Sequence, residues 1–66
     1  MNINNIKLNA EHLCRWPDGS ERNVMVTNID KDELMVTIIW NEIDATDSLM
    51  LGLDDVVPHD YIINIL

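Results

Sequence analysis

The chain has 66 residues, among them a single cysteine, no phenylalanine, and only two residues each of proline and glycine. One cysteine excludes an internal disulfide, whereas secreted domains of this size are usually rich in cysteine. We therefore expect a reducing, cytoplasmic environment. Scarce Pro and Gly, with Leu, Ile and Val at 21 of the 66 positions, argue against disorder and for one folded domain over residues 1–66.

Long apolar runs are also missing. Asparagines interrupt the N-terminal stretch of residues 1–8, so it is not expected to be a signal peptide. The uninterrupted apolar stretches elsewhere are too short to span a bilayer. The sequence therefore predicts no contact with a membrane.

Basic residues are the third scarcity. Four Lys and Arg residues stand against twelve Asp and Glu residues, which gives a net charge of −8. A surface of this sign repels nucleic acid and attracts basic proteins, so a basic protein partner is expected and direct nucleic-acid binding is not. The same charge also suffices to keep a small domain soluble, and both interpretations of the acidity stay open at this point.

Apolar residues alternate with polar ones at a period of two along most of the chain, and helical periodicity is weak. This pattern predicts five strands, at residues 6–16, 23–29, 34–40, 49–53 and 61–66. Residues 17–20, 30–33, 41–48 and 54–58 are predicted as turns or loops, with a short helix over residues 42–51 as an alternative. The expected fold is all-β, a small five-stranded antiparallel barrel or sandwich. A closed barrel would also remove exposed strand edges.

The third predicted strand, residues 34–40, is apolar on both sides. Its even-numbered residues are all apolar, and so are two of its odd-numbered residues, Met35 and Ile39. A small barrel buries only one side, so these two residues, with Met25 and Met50, are predicted to leave an apolar patch. Self-association into a homo-oligomer is the first interpretation of that patch.

His12 and Cys14 are two positions apart and should share one face of a strand. They make only half of a metal site, and His59 and an Asp would be needed to complete it. A cysteine nucleophile paired with His12 or His59 would need an orienting group that the sequence does not indicate. We therefore predict a buried thiol beside a half-exposed imidazole, with no metal, no cofactor and no enzymatic activity.

Nine carboxylates fall into three groups within the predicted loops. They are Asp30, Asp32 and Glu33; Glu42, Asp44 and Asp47; and Asp54, Asp55 and Asp60. If these loops meet at one end of a barrel, their spaced charges imitate a run of phosphates. The first functional hypothesis is therefore an inhibitor or antitoxin, of the kind encoded by phages and mobile elements, that blocks a basic protein acting on nucleic acid.

Residues 55–62, Asp-Val-Val-Pro-His-Asp-Tyr-Ile, resemble the end of a Src-homology-type peptide-binding domain, and residues 32–34 resemble an acidic-Leu step of the same family. Residues 16–20, Trp-Pro-Asp-Gly-Ser, are similar to the first hairpin of Tudor domains. The resemblance covers about fifteen of the 66 residues and implies a small barrel with a peptide-binding or assembly role. Its contact residues would be Pro58, Tyr61 and a tryptophan, Trp16 or Trp40, lining one exposed groove.

The chain departs from both families. The N-terminal aromatic motif of the Src-homology type is missing, and three aromatic residues in the whole chain are few for a Tudor-type cage around a methylated cation. The resemblance therefore implies more about the fold than about a ligand.

Overall fold

The computed structural model describes residues 1–43 and 50–66, and for residues 42, 43, 50 and 51 it describes the backbone. Five strands follow one another along the chain. They are β1 (Glu11–Arg15), β2 (Glu21–Asp30), β3 (Met35–Ile43), β4 (Met50–Pro58) and β5 (Ile62–Ile65). Two single-turn 3₁₀ helices, Ile3–Asn5 and His59–Tyr61, precede β1 and β5. No helix in the described residues is long and apolar enough to cross a membrane.

The five strands form one antiparallel sheet in the order β4-β3-β2-β1-β5. This confirms the predicted five antiparallel strands, but the prediction of a closed barrel or of two stacked sheets is wrong. Within the described residues the sheet stays open, with β4 and β5 at its two edges. The single turn His59–Tyr61 joins these edge strands directly, so the sheet curls until its edges approach each other.

The concave side of the curled sheet, called the inner face here, encloses the core. Its buried residues alternate along β2 and β3 as predicted from the sequence, and the N-terminal segment adds one buried isoleucine. The cluster consists of Ile6, Cys14, Val24, Val26, Val36, Ile38, Val57 and Ile62. All are aliphatic except the cysteine, so a chain without phenylalanine fills this space with small branched side chains.

A bulge in β2 explains why Ile29 packs inward against the alternation of its strand. The pairing of β2 with β3 shifts register between Val26 and Asn28. The extra residue reverses the parity of the strand, so that Ile29 packs against the core opposite Val36.

The first strand begins later than the sequence predicts, at Glu11 instead of Ile6. Asn9 adopts a left-handed conformation with φ of 58° and turns the chain before β1. Its N–H donates to the carbonyl of Val26 at 2.7 Å, so this bend is fastened to β2.

The turn predicted at residues 54–58 is wrong, because these residues belong to β4. Asp55 pairs with Ile38 and Val57 with Val36, so the ladder to β3 continues to Pro58. Proline has no N–H to donate, and the strand ends there.

The loop predicted at residues 41–48 and the alternative helix over 42–51 are both contradicted at their ends. Residues 41–43 lie in β3 and residues 50–51 in β4, in direct antiparallel pairing. Residues 44–49 lie outside the described part of the chain.

The two remaining predicted turns are confirmed. At residues 17–20, Gly19 takes a φ of 93°, and the N–H of Trp16 donates to the carbonyl of Ser20 at 2.9 Å. At the β2–β3 connection, the Asp30 carboxylate accepts hydrogen bonds from the N–H groups of Asp32 and Glu33. Gly19 and Asp30 thus stabilise the two turns, Gly19 by adopting a positive φ and Asp30 by accepting hydrogen bonds from the turn backbone.

Candidate binding surfaces

His12 is completely buried on the inner face, so the prediction of a half-exposed imidazole is wrong. Both of its ring nitrogens have backbone partners. Nδ1 donates to the carbonyl of Ala10 at 2.8 Å, while Nε2 accepts from the N–H of Lys7 at 3.2 Å. This pattern requires the neutral ring with its proton on Nδ1. His12 therefore fastens the N-terminal segment to β1, and neither nitrogen is available to a metal or to a thiol.

Cys14 shares the inner face with His12, as predicted, and is also completely buried. Burial raises the pKa of its thiol from 9.0 to about 11, and the Asp55 carboxylate adds to the rise. At neutral pH the thiol stays protonated, which is the opposite of what a nucleophile requires.

The described residues contain no group of three or more His, Cys, Asp and Glu side chains that could hold a metal ion. The other histidine, His59, has Nδ1 2.7 Å from the carbonyl of Met1 and 3.4 Å from the Asp60 carboxylate. Like His12, it serves to attach the N-terminal segment.

A groove of about 700 Å³ crosses the opposite, outer face of β1–β4. Two apolar side chains form its floor, two amides flank them, and one carboxylate stands at either end. In that order, these are Met25 and Ile39; Asn23 and Asn41; Glu11 and Asp54. Trp40, Gly52 and Leu53 complete the lining. We call this the outer groove.

Strand pairing explains the composition of the outer groove. Glu11 pairs with Met25, Met25 with Ile39, and Ile39 with Asp54, so these four residues form one row across four strands. Met25 and Ile39 are each 41% exposed, which is unusual for paired apolar residues in the middle of a sheet. Beside the row, Gly52 contributes no side chain opposite Asn41 and so deepens the groove.

The charge of the outer groove has one sign. All four Lys and Arg residues of the chain lie in the part that the structure describes, and none of them lines the groove. Its two carboxylates, Glu11 and Asp54, are exposed. A ligand with apolar and cationic groups would find a counterpart for both.

A second concavity, of about 580 Å³, opens beside the two tryptophans. The rings of Trp16 and Trp40 meet edge to face, with centroids 5.5 Å apart and an angle of 64° between their planes. Pro17 and Leu53 extend the apolar lining, and we call this concavity the tryptophan groove. Both rings are half-buried and pack against the core, so they serve the fold and remain accessible.

Charges of both signs border the tryptophan groove. Arg22, Asp18 and Asp55 all contribute to its lining. The Asp18 carboxylate accepts hydrogen bonds from the Ser20 hydroxyl at 2.7 Å and from the Ser20 N–H at 2.9 Å. These bonds lower the pKa of Asp18. The Asp55 carboxylate accepts a hydrogen bond from the N–H of Val56. This bond satisfies a backbone donor on β4, which is an edge strand of the sheet.

The carboxylates do not form the single loop cluster expected from the sequence. Asp54 and Asp55 lie within β4 on opposite faces, so their placement in a loop is wrong. The N–H of His59 donates to the carbonyl of Leu34, so the His59–Tyr61 turn lies beside the β2–β3 turn. Asp60 is therefore brought close to the first acidic group, Asp30, Asp32 and Glu33.

The second acidic group contributes nothing that the structure describes. Glu42 has a described backbone in β3 without a described side chain. Asp44 and Asp47 lie outside the described residues.

The other predicted contact residues, Pro58, Met35 and Tyr61, line neither of the two grooves. Pro58 pairs with Met35, five residues along β4 from Leu53 and the tryptophan groove, a distance of about 17 Å. Pro58, Met35 and Tyr61 are all half-buried, and Tyr61 packs against the core. The structure therefore places Pro58 away from the groove that the two tryptophans line. Of the predicted apolar patch, Met25 and Ile39 are paired and Met35 lies further along β3, while the side chain of Met50 lies outside the described part of the chain.

Sequence reasoning missed several residues of the outer face, namely Glu11, Asn23, Asn41, Gly52 and Val56. The alternation in β1 does assign Glu11 to the face opposite Cys14. What no local pattern supplies is the register that sets Glu11 in one row with Met25, Ile39 and Asp54.

Comparisons with known protein families, curated proteins and solved structures gave no match to this chain. Its role must therefore be argued from the two grooves.

Proposed function

We propose that the protein is a small acidic binding protein without enzymatic activity, which sequesters or inhibits a basic protein that acts on nucleic acid. The observation that carries this proposal is the outer groove. Its apolar floor, Met25 and Ile39, is exposed although both residues lie mid-sheet, and a carboxylate stands at either end. A net charge of −8 draws basic partners at long range, and the groove supplies the short-range contact.

This form of the proposal differs from the loop hypothesis drawn from the sequence. There, the carboxylates alone imitated phosphates. Here, the paired strands combine carboxylates with an apolar floor, and apolar burial supplies affinity that exposed ion pairs do not. Acidic residues outside the groove, such as Asp32 and Glu33 at the β2–β3 turn, act by raising the encounter rate.

The test is capture of partners from the native host lysate with three forms of the protein. These are the wild type, a groove variant with Glu11→Gln and Asp54→Asn, and a turn variant with Asp32→Asn and Glu33→Gln. Both variants change the net charge by two. We expect a basic protein that the wild type and the turn variant retain and the groove variant loses.

Two further measurements test whether the captured protein is the partner that the proposal requires. Its release should rise steeply with salt, and its nucleic-acid binding or cleavage should fall as the acidic protein is added. A partner lost equally from both variants, or one whose activity is unaffected, would contradict the proposal.

The second candidate function is a peptide-binding or assembly module of the Src-homology or Tudor type, or a homo-oligomer subunit. The tryptophan groove supports it, as do the strand order and the 3₁₀ turn His59–Tyr61 before the last strand. This candidate predicts that Trp16→Leu abolishes partner binding while Met25→Ser leaves it intact, measured by the same capture. The first candidate predicts the reverse.

A further inference from the structure

Four apolar residues on the described part of the outer face, each at least partly exposed, form a diagonal stripe. Leu13 is half-buried on β1, Met25 and Ile39 pair on β2 and β3, and Val56 is 56% exposed on β4. Leu13 pairs with Asn23, two residues before Met25, and Val56 pairs with Thr37, two residues before Ile39. Side chains at such diagonal positions are near neighbours, so the stripe is continuous from β1 to β4.

Two carboxylates flank this stripe on opposite sides. Glu11 stands beside its β1 end, opposite Met25, and Asp54 stands beside its β4 end, opposite Ile39. An apolar stripe with an acidic residue on each flank is the complement of an apolar helical stripe with basic residues on each flank.

Resting on the function proposed above, we infer that the outer groove receives an amphipathic basic helix of the partner protein. The stripe crosses three interstrand steps of about 4.8 Å and four residues of about 3.3 Å each, a diagonal of roughly 20 Å. That is the length of about 13 residues of α-helix.

Two other occupants fit less well. A second copy of this chain would bring a net charge of −8 to each side and set Glu11 and Asp54 against carboxylates. An extended segment lying across the strands would leave its backbone N–H and C=O groups without strand partners, because β1, β2 and β3 are already paired on both sides. A helix satisfies its own backbone groups and presents only side chains.

The test uses two synthetic peptides of about 14 residues with the same Lys and Leu content. In the first, Leu recurs at i, i+3, i+4 and i+7 with Lys on both flanks. In the second, Lys and Leu alternate strictly, which is the period of a strand. Binding is followed by amide shifts in ¹H–¹⁵N spectra of the intact protein, and peptide conformation by circular dichroism.

We expect the helical-period peptide to bind at least tenfold more tightly than the alternating peptide and to become helical as it binds. Amide shifts should concentrate at Met25, Ile39 and Val56. The groove variant with Glu11→Gln and Asp54→Asn should weaken binding at least fivefold. The turn variant with Asp32→Asn and Glu33→Gln, which has the same charge, should weaken it less than twofold.

The alternative results separate this inference from the proposal beneath it. Equal or tighter binding of the alternating peptide at the same residues would overturn the helix and leave the basic partner in place. Failure of both peptides to shift the groove residues, or equal weakening by both variants, would overturn the basic-partner function of the groove as well.

Discussion

Ile38 and Ile39 are neighbours on β3, but they lie on opposite faces of the sheet and differ in exposure to solvent. Ile38 is completely buried among branched aliphatic side chains, whereas Ile39 is 41% exposed beside Met25. The inner face even provides backbone partners for its one buried imidazole, His12, while the outer face leaves apolar side chains in solvent. Apolar content therefore does not by itself mark the core, because this fold uses only one of two apolar faces.

The largest expected effect separates the two isoleucines. Ile38→Ala opens a cavity in a thin core and should lower the free energy of unfolding by about 2–5 kcal/mol. Small domains often have only about 5 kcal/mol in total, so this variant should be largely unfolded or close to it. Ile39→Ala should lower the free energy of unfolding by less than about 1 kcal/mol. Urea unfolding followed by tryptophan fluorescence measures both.

The comparison gains a second side when binding is measured. Ile39→Ala should remain folded and lose affinity for the helical-period peptide described above, since it removes part of the groove floor. A large loss of stability in Ile39→Ala would show that the outer face belongs to the folding core, and the binding interpretation of the exposed stripe would then fail.

The next effect in size concerns His12, the polar side chain that the structure describes as buried on the inner face. His12→Leu keeps an apolar volume of similar size but leaves the Lys7 N–H and the Ala10 carbonyl without their ring partner. We expect a loss of about 1–3 kcal/mol in the free energy of unfolding. The Lys7 amide should also exchange its hydrogen faster, which a merely imperfect fit in the core would not cause.

Glu11→Leu is the matched control for His12→Leu, since it puts the same side chain on the outer face of the same strand. It should change the free energy of unfolding by no more than about 0.5 kcal/mol. Similar losses from both leucines would mean that the hydrogen bonds of His12 are dispensable.

Much of the inner face could be predicted from the sequence, because alternation in β2 and β3 directly assigns Val24, Val26, Val36 and Ile38 to one side. The end of β4 could not. Asp54, Asp55 and Pro58 favour turns locally, and they enter a strand only because β3 pairs with them along its length.

The outer groove was predictable in part for a similar reason. The two apolar sides of the third predicted strand favour a patch of Met35, Ile39, Met25 and Met50, and of these Ile39 and Met25 line the groove. The carboxylates beside them depend on the register between distant segments, 14 residues apart for Glu11 and Met25, and local periodicity contains no information on register.

A smaller effect should appear with pH at Cys14. The folded state raises the pKa of this thiol from 9.0 to about 11, so the unfolded state loses its proton first. Stability from this source is complete below about pH 9 and declines as pH rises towards 11. The free energy of unfolding should be measured for the wild type and for Cys14→Val from pH 7 to 11. Between pH 9 and 11 it should fall more in the wild type than in Cys14→Val.

Thiol labelling compares the two faces directly. At pH 8, Cys14 should react with an aromatic disulfide reagent only as fast as the protein opens, and urea should accelerate it. In a Cys14→Val background, Met25→Cys on the outer face should react at once. Rapid labelling of wild-type Cys14 without urea would show that the inner face is open to solvent.

The smallest effect is expected from the ion pair of Arg15 and Glu21, which lie opposite each other across β1 and β2. Their atoms Nη2 and Oε2 are 3.1 Å apart, and both side chains are substantially exposed. Water and salt weaken such a pair, so a double-mutant cycle with Arg15→Gln and Glu21→Gln should give a coupling energy below about 1 kcal/mol that shrinks further in high salt. A coupling of about 2 kcal/mol or more, unaffected by salt, would mean that polar contacts on the outer face help to hold the sheet together. A small coupling energy would mean that this ion pair of the outer face contributes little to stability, which then depends mainly on the aliphatic core of the inner face. Side chains of the outer face could then be substituted to suit a partner at little cost in stability.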